Sequence, residues 1–326
     1  MTEQAPYSPE AHCSVVDGRY QLYVNRFFKC PWCSIFNTAQ FFNLHKTARA
    51  FYFQLCLGSP PQVAGVAHFT EVEPGQYRSP RRGTFGGFEL HRPLRIETIE
   101  GFVDEVELVL KANDAHRIEI LEPPALFDPC KADVLCNVLY RRGYHRRPPE
   151  LDYLMTVDTE ALWEKLKPSR RQRIARCKRD GMSARQVESE LCRQVYDVIA
   201  QNRSVKGYPM TMTGEEVQSM LAAFPDRLVF FAAFSHEQMI ASSICVKVND
   251  TILYVFYWGD LPGYEQFSPV SLLAECIYDY ARENRFSLID FGTSTKDGAP
   301  IYGLINFKRE IGCFPCLKPG YVKLID

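Results

Sequence analysis

The fold is decided between residues 228 and 258, where three apolar segments follow one another: LVFFAAF (228–234), MIASSICVKV (239–248) and TILYVFYW (251–258). Runs of this length that are rich in β-branched and aromatic residues are typical of buried strands. SHEQ (235–238) separates the first two segments, and Asn249-Asp250 separates the last two, so both breaks have turn residues. The sequence therefore predicts three consecutive antiparallel strands.

A helix and a further strand are predicted after these three. Ser268-Pro269 offers an N-cap and a first-turn proline. Apolar residues then recur with the spacing of one helix face, at Leu273, Cys276, Ile277, Tyr280 and Ala281. FSLIDF (286–291) predicts a strand that can lie parallel to the third one.

The first half of the chain repeats this order of elements. FYFQLCL (51–57) and QVAGVAHF (62–69) predict two strands, SPRRGTFGGFEL (79–90) a loop, and RIEIL (117–121) a closing strand. The helix between loop and closing strand is marked by Phe102, Val106, Val109 and Leu110. Further helices are predicted around 41–48, 191–199 and 217–224. This is a duplication of architecture but not of letters, so we predict an α/β protein with mixed sheets and two similar domains.

The domain boundaries follow from composition. RRGYHRRPPE (141–150) is the best linker, because Pro148-Pro149 interrupts regular structure. The prediction is a flexible tail over 1–18, one domain over 19–147 and a second domain over 148–326.

The composition is that of a globular protein, with 46% hydrophobic and 24% charged residues among 326 and a net charge of −1. No apolar run reaches the length of a membrane span, and MTEQAPYSPE does not resemble a signal peptide. We therefore expect a cytoplasmic protein.

Twelve cysteines include two C-x-x-C pairs, Cys30-Pro-Trp-Cys33 and Cys313-Phe-Pro-Cys316. In a reduced compartment, unliganded thiols are the first interpretation. A structural zinc site built from the four sulfurs and a redox-active dithiol are the two alternatives.

One segment departs from the neutral balance of charge. Residues 167–185 carry eight lysines and arginines against Asp180 alone, a net charge of +7. Arg170 and Arg173 belong to this segment. It predicts recognition of a phosphate-bearing partner such as tRNA, or of an acidic carrier protein. The alternative is a solvated helix face that pairs with nearby acids.

Four stretches together resemble the FemABX peptidyltransferases and the BioF2-like (FemAB-like) acyltransferases, which consist of two tandem GNAT-like domains. They are FNTAQFFNLHK (36–46), SPRRGTFGG (79–87), LKPSRRQRIARCKRDGM (166–182), and IDFGTST with GLINFKREIG (289–312). The resemblance implies transfer of an acyl or aminoacyl group to an amine. It also implies that Lys308 lies near the transferred carbonyl and that His45 contacts a phosphate. The long helical arm of FemA-type enzymes is missing here.

Other candidate site residues come from their chemistry. Arg81 and Arg82 precede Gly86 and Gly87 in a loop that could approach an anion, the alternative being a loop whose glycines only supply positive φ. Tyr257 and Trp258 end the third strand, where the sheet of a GNAT-like domain separates and receives the acyl donor, so both are candidate donor-binding residues, the alternative being ordinary core aromatics. Phe307 precedes Lys308. Asp290 is a candidate general base, or else a buried aspartate tied to backbone N–H groups.

These residues predict an enzyme that needs no tightly bound cofactor and no metal. The amine of the acceptor would attack an activated carbonyl directly. The co-substrate is aminoacyl-tRNA, acyl-CoA or an acyl-carrier protein, and the acceptor an amine-bearing small molecule or a cell-wall precursor. Residues 259–268 are acidic and lack the usual glycine spacing of a CoA pyrophosphate loop. A non-catalytic GNAT-like binding or regulatory protein and a nucleic-acid-binding module are the alternatives.

Overall fold

The structure is a computed structural model that describes residues 13–16, 18–91 and 94–325. Most of the predicted tail lies outside these residues. Residues 13–16 were predicted as part of that tail, but they form a strand.

The elements of the first half alternate between strands and helices. They are β1 (Cys13–Val16), β2 (Tyr20–Val24), α1 (Ala39–His45), β3 (Ala50–Leu57), β4 (Gln62–Glu73), β5 (Gln76–Ser79), β6 (Glu89–Leu90), α2 (Ile96–Lys111), β7 (Arg117–Leu121), α3 (Pro129–Arg141) and β8 (His145–Arg146). Short 3-10 helices lie at Ile35–Asn37 and Ala125–Phe127.

The second half contains a longer series. It comprises β9 (Glu150–Thr156), α4 (Leu162–Lys165), α5 (Pro168–Arg179), β10 (Met182–Val187), α6 (Cys192–Lys206), α7 (Gly214–Ala223), β11 (Leu228–Ser235), β12 (Gln238–Lys247), β13 (Ile252–Asp260), α8 (Val270–Glu283), β14 (Leu288–Thr293), β15 (Thr295–Lys296), β16 (Ala299–Pro300), α9 (Tyr302–Glu310), β17 (Phe314–Lys318) and β18 (Gly320–Leu324). A 3-10 helix at Ser189–Leu191 precedes α6.

The chain divides into two compact units, residues 1–150 with 317–326, and residues 151–316. This differs from the predicted division, which placed the C-terminal residues in the second domain. The reason is β18, which pairs antiparallel with β7 and so completes the sheet of the first unit. No sequence pattern in that short segment indicated its partner.

Each unit contains a mixed sheet. In the first unit the order is β1-β2-β3-β4-β5-β7-β18-β8, with β6 on β4, and in the second it is β10-β11-β12-β13-β14-β9-β17. The predicted hairpins β3-β4, β11-β12 and β12-β13 are antiparallel, and β14 runs parallel to β13. This confirms the predicted α/β class with mixed sheets.

Local sequence explains the main elements of the second unit. The Asn249 carboxamide oxygen accepts from the N–H groups of Thr251 and Ile252 and closes the β12-β13 turn. A Thr213–Glu216 capping box starts α7, and Gly207 in the left-handed region ends α6. The apolar side of α8 packs on the sheet through residues such as Leu273 and Ile277.

Several elements have no counterpart among the predictions, including helices α3 and α9 and strands β1, β2, β5, β9, β10 and β18. The strand β5 is only 4 residues long, and α9 buries only Lys308. Neither provides enough periodicity to be distinguished from a loop.

Candidate active site

The two parallel strands of the second unit separate along their length. Pairing joins Ile252–Leu288, Leu253–Ile289 and Tyr254–Asp290, after which β13 continues for the rest of its nine residues without β14. Two features account for this. The β12-β13 register shifts between Ile244 and Cys245, and Gly292 takes a φ of 79°, which only glycine adopts readily. One edge of β13 beyond Tyr254 therefore has no paired strand among the described residues, and can accept an extended group.

Aromatic side chains lie beside this opening. Trp258 of β13 is half-buried, and its ring lies 5.3 Å from that of Phe291 and 5.4 Å from that of Phe307. The Arg170 guanidinium lies over the Phe307 ring, with its central carbon 4.6 Å from the ring centroid. The structure thus joins Trp258, Phe307 and Arg170, which the sequence predicted separately.

Lys308 lies at the base of the opening, on α9 and not at a strand end. It is 2% exposed, and its Nζ donates to the carbonyl oxygens of Gly292 (2.6 Å) and Thr293 (3.1 Å). The ammonium is also 5.9 Å from the ring centroid of Tyr153. Lys308 therefore fixes the end of β14 where that strand turns away from β13.

Two buried acids accompany this lysine. Asp290 is 0% exposed, and its Oδ1 accepts from the Gly292 N–H (2.7 Å), which is the arrangement of a buried aspartate tied to backbone. Asp152 is equally buried, and it lies two residues before Leu154, the residue opposite Asp290. Both acids therefore project from the same face of the sheet.

The buried Cys313 lies beside this lysine, since its N–H donates to the Lys308 carbonyl (2.9 Å). Burial raises the pKa of Cys313, the Lys308 ammonium opposes that shift, and Asp290 adds to it. The sequence analysis did not find Asp152, although an acid inside the apolar run LDYLM was the available signal.

Tyr257 lies away from this group. Its ring packs under Arg203 (4.7 Å to the guanidinium carbon), and its hydroxyl accepts from the Met212 N–H (3.1 Å) and contacts Thr211. Consecutive residues of a strand face opposite sides of the sheet, so Tyr257 and Trp258 are separated. The predicted donor-binding role of Tyr257 is therefore not supported by its position, which is that of a residue holding α6 and the segment before α7.

Arg170 does not belong to the exposed basic surface that was predicted for it. It is 8% exposed, its Nε donates to Glu310 (2.7 Å), and its Nη1 donates to the Ser268 hydroxyl (2.9 Å). Burial lowers its pKa, and Glu310 opposes that shift. Arg170 is an internal connection between α5, α9 and the start of α8, because the helix period turns it inward with Ile174.

Arg173, Arg176 and Arg179 form an exposed basic surface on α5. Of these, Arg176 pairs with Asp180 (3.7 Å), whereas no described acid pairs with Arg173 or Arg179. Lys178 pairs with Glu275 (2.7 Å). The alternative of a self-paired helix face thus holds for part of the helix, and two arginines keep their charge exposed.

The loop before α8 is closed by its own hydrogen bonds. The Gly263 N–H donates to the Glu265 carboxylate (3.0 Å), and the Ser268 N–H donates to the Tyr264 carbonyl (3.1 Å). These donors are therefore engaged by the protein, and an acid occupies the loop. This agrees with the missing pyrophosphate-loop pattern in the sequence.

In the first unit, Arg81 and His45 come together, since the Arg81 Nη1 donates to the His45 carbonyl (3.0 Å). Arg82 is half-buried in the same loop, and His45 is buried. The His45 ring packs against Phe41 with centroids 4.6 Å apart. The contact between His45 and Arg81 is thus made by the His45 carbonyl oxygen.

The glycines of this loop serve packing. The Gly86 N–H donates to the Leu121 carbonyl (2.7 Å), and the Gly87 N–H donates to the Ser79 hydroxyl (2.9 Å). A Cβ on Gly87 would meet the Glu122 carboxyl carbon at 2.7 Å. The predicted anion cradle is therefore not formed by these two N–H groups, whose acceptors are within the protein.

Cys30 and Cys33 form a disulfide, with Cα atoms 5.7 Å apart. This contradicts the expectation of unliganded thiols and removes both sulfurs from the four-sulfur zinc alternative. The described residues contain no group of three or more potential metal ligands. Cys313 is buried and Cys316 is half-buried.

The comparisons with known proteins agree with this geometry. Residues 168–309 match the family model described as an acetyltransferase (GNAT) domain. That stretch contains α5, the separating strands and Lys308, so the part of the second unit that forms the opening is similar to the domain of this family. A search of curated proteins gave no match.

Solved structures share the two-domain fold. The crystal structure of FemX aligns with a TM-score of 0.67 at 13% identity, covering 90% of this chain and 93% of FemX. A tandem GNAT protein from the clavulanic acid biosynthesis pathway aligns with a TM-score of 0.54 at 10% identity, covering 92% and 90%. L-PGS from Bacillus licheniformis aligns with a TM-score of 0.55 at 11% identity, covering 79% and 81%. These likenesses confirm the predicted tandem GNAT-like fold and the resemblance to the FemABX architecture.

Within the described ranges, no helix has both the length and the apolar character to cross a membrane.

Proposed function

We propose that the protein forms an amide by transferring an aminoacyl or acyl group from an activated ester or thioester to an amine. The observation that carries the proposal is the opening between β13 and β14, with Trp258 and Phe307 beside it and Lys308 at its base. An unpaired strand edge holds an extended donor, and aromatic walls exclude water from the reacting carbonyl.

The reaction needs no protein nucleophile. The acceptor nitrogen attacks the donor carbonyl carbon, the tetrahedral intermediate collapses, and the alcohol or thiol leaves with a proton that came from the amine. The protein contributes alignment and electrostatic stabilisation of the developing oxyanion. In this proposal Lys308 supplies a buried positive charge at the base of the opening, and Asp290 is a positioning residue that holds Gly292.

An aminoacyl-tRNA or a carrier-bound acyl group suits the second unit better than CoA in its usual position. The N–H groups of Gly263 and Ser268 before α8 are engaged, and Glu265 would repel a pyrophosphate. By contrast, Arg173 and Arg179 on α5 are exposed and have no acidic partner among the described residues. We propose that this surface binds the phosphates of tRNA.

The acceptor is proposed to be an amine-bearing small molecule, with a peptide precursor of the cell wall as the first one to test. The support is the resemblance of the fold to FemX. The amine must arrive as the free base, which predicts a rate that rises with pH until the acceptor is deprotonated.

The test combines binding and product formation. The purified full chain is incubated with bulk aminoacylated tRNA, acetyl-CoA or acyl-carrier protein, each with a lysine-containing muropeptide, and amide products are identified by mass spectrometry. tRNA binding is measured at several salt concentrations for the wild type and for the variant Arg173→Glu, Arg176→Glu, Arg179→Glu. We expect the variant to bind tRNA more weakly. The slope of the logarithm of the binding constant against the logarithm of the salt concentration should be smaller by about 2.

A matched control separates local from general electrostatics. The triple variant Arg19→Glu, Lys111→Glu, Lys296→Glu makes the same change in net charge at exposed positions elsewhere. It should bind nearly as the wild type does. Equal losses in both variants would contradict a docking role for α5. Donor binding without product from any donor would favour the non-catalytic binding protein.

A further inference from the structure

The Cys30–Cys33 disulfide belongs to the first unit and has no part in the proposed reaction. Its two sulfurs differ in environment. Cys33 is buried in a cluster with Phe42 and Tyr52, whereas Cys30 packs against the same cluster and is only half-buried. The residues on either side of Cys30, Lys29 and Pro31, are exposed. Cys30 is therefore the more exposed of the two cysteines, and it is the one at which we expect a thiolate to attack.

The charge at this position also favours exchange. Lys29 directly precedes Cys30, and Arg26 lies four residues before that cysteine. Both side chains are exposed, so two cations lie close to Cys30 in the sequence. Positive charge stabilises the negative charge that develops on sulfur during thiol–disulfide exchange. Between the cysteines, the Trp32 indole is stacked on the His91 ring, with centroids 4.8 Å apart and planes inclined by 13°. Residues 30–33 are thus held by the Trp32–His91 contact as well as by the disulfide.

The residues that follow Cys33 are connected to the basic loop. The Ser34 N–H and hydroxyl both donate to the Glu89 carboxylate at 2.8 Å, and the Asn37 amide donates to the same group at 2.9 Å. Glu89 follows the glycine-rich loop directly. The disulfide therefore holds the start of residues 33–37. That segment in turn binds Glu89, the last residue of the segment 79–89.

A second contact joins the same two segments through aromatic packing. The Phe36 ring lies 4.9 Å from that of Phe85, edge to face. A Cβ on Gly83 would meet the Phe36 ring at 2.8 Å, so the backbone of the loop lies directly against this side chain. Movement of residues 33–37 would therefore displace Phe36, against which the backbone next to Arg81 and Arg82 packs.

We propose that Cys30–Cys33 is a redox-active site that exchanges with a dithiol reductant and thereby controls the order of residues 79–89. A thiolate of the reductant attacks the Cys30 sulfur and releases the Cys33 thiolate. The second thiol of the reductant then resolves the mixed disulfide. Two electrons and two protons pass to the protein, giving two thiols, and the reductant becomes a disulfide. Oxidised glutathione or another disulfide reverses the reaction.

The test uses the native full-length chain and dithiothreitol as the probe. Thiols are alkylated before and after treatment, and the modified cysteines are identified by peptide mass spectrometry. We expect Cys30 and Cys33 to become alkylated while the circular dichroism spectrum stays native, and to be protected again after oxidised glutathione is added. Hydrogen exchange of residues 79–89 should be about tenfold faster in the reduced form.

Two variants keep the result interpretable. Cys30→Ser should show the faster exchange of residues 79–89 without any reductant, whereas Cys130→Ser, at an exposed cysteine on α3, should exchange as the wild type does. A disulfide that opens only when the chain unfolds would overturn the proposal in favour of a structural cross-link. Equal exchange of residues 79–89 in the oxidised and reduced forms would overturn the connection to the loop.

Discussion

The two units have the same parallel step in their sheets but end it differently. In the first unit all four residues of β5 pair with β7, from Gln76–Arg117 to Ser79–Ile120. The chain then folds back, and Gly86 and Gly87 donate to Leu121 and Ser79. In the second unit β14 pairs with only three residues of β13, and Trp258 lies beside the part left open. One topology thus gives a closed end and an open end, and the proposed donor site lies at the open end.

The largest effect is expected from the charge at the base of the open end. Lys308→Met leaves the carbonyl oxygens of Gly292 and Thr293 without their donor and removes a positive charge from the surroundings of the buried Asp290, which should cost about 3–5 kcal/mol of unfolding free energy. Lys308→Met combined with Asp290→Asn should recover part of that loss, because one buried charge of the opposite sign is removed as well. Urea unfolding measures both.

An exposed lysine of the same unit provides the control. Lys296→Met should change the unfolding free energy by less than about 0.5 kcal/mol. If Lys308→Met costs no more than this control, the buried charge cluster does not stabilise the open end.

The closed end should respond to pH through Glu122. Burial raises its pKa to about 7, while Lys131 and the Phe88 N–H oppose the shift and Glu89 adds to it. A raised carboxyl pKa means that the folded state prefers the protonated form, so the contribution to stability is greatest below about pH 4.5 and is lost as the pH rises through 7. Full ionisation should cost about 3 kcal/mol relative to Glu122→Gln.

The measurement is urea unfolding of the wild type and Glu122→Gln at pH 5 and pH 8. The difference between the two proteins is needed because His68 is buried in the same unit with its pKa lowered to about 4. That shift acts with the opposite sign, since stability rises as the pH increases from about 4 to the ordinary range of histidine. Parallel pH profiles for wild type and variant would rule out ionisation of Glu122.

The glycine loop provides a third way to test the closed end. Gly87→Ala places a Cβ 2.7 Å from the Glu122 carboxyl carbon at a φ of 74°. Gly143→Ala has a similar φ of 81° but meets nothing within 4 Å. Both variants share the cost of the left-handed backbone, so the excess loss in Gly87→Ala, about 1–3 kcal/mol by thermal or urea unfolding, measures packing alone. Equal losses would mean that the loop yields without cost.

The sequence predicted the central strands of both sheets and the helices α2 and α8, because these long elements have clear apolar patterns. The segments 228–258 and the face of α8 needed only pattern and turn residues. The order of elements in the first half followed by analogy with the second. β5 and β18 could not be predicted, since short strands acquire their partners from the rest of the sheet.

The site was predicted in part. Trp258, Phe307, Lys308 and Asp290 lie in one region of the structure. Only Lys308 was placed there by the resemblance to the family, and the roles of all four in transfer stay predictions. Arg170 was assigned to binding because it belongs to the basic segment, and Tyr257 because it ends the third strand. Their orientation depends on helix and strand phase, which turned both side chains inward. Asp152 was missed because its importance depends on the strand that lies opposite it.

The smallest effect is expected on the covered side of β13. Tyr257→Phe removes the hydroxyl that accepts from the Met212 N–H, which should cost about 1 kcal/mol of unfolding free energy and leave activity unchanged. A loss of activity with unchanged stability would place Tyr257 in the reaction and contradict the separation of the two faces.

The central claim is tested most directly by the amide product formed from aminoacyl-tRNA and the lysine-containing muropeptide, compared between wild type, Trp258→Ala and Tyr257→Phe. The account predicts product from the wild type and from Tyr257→Phe, and a rate lower by about a hundredfold in Trp258→Ala, with tRNA affinity unchanged. Product formation that is equal in Trp258→Ala and the wild type would show that transfer does not take place at the opening between β13 and β14.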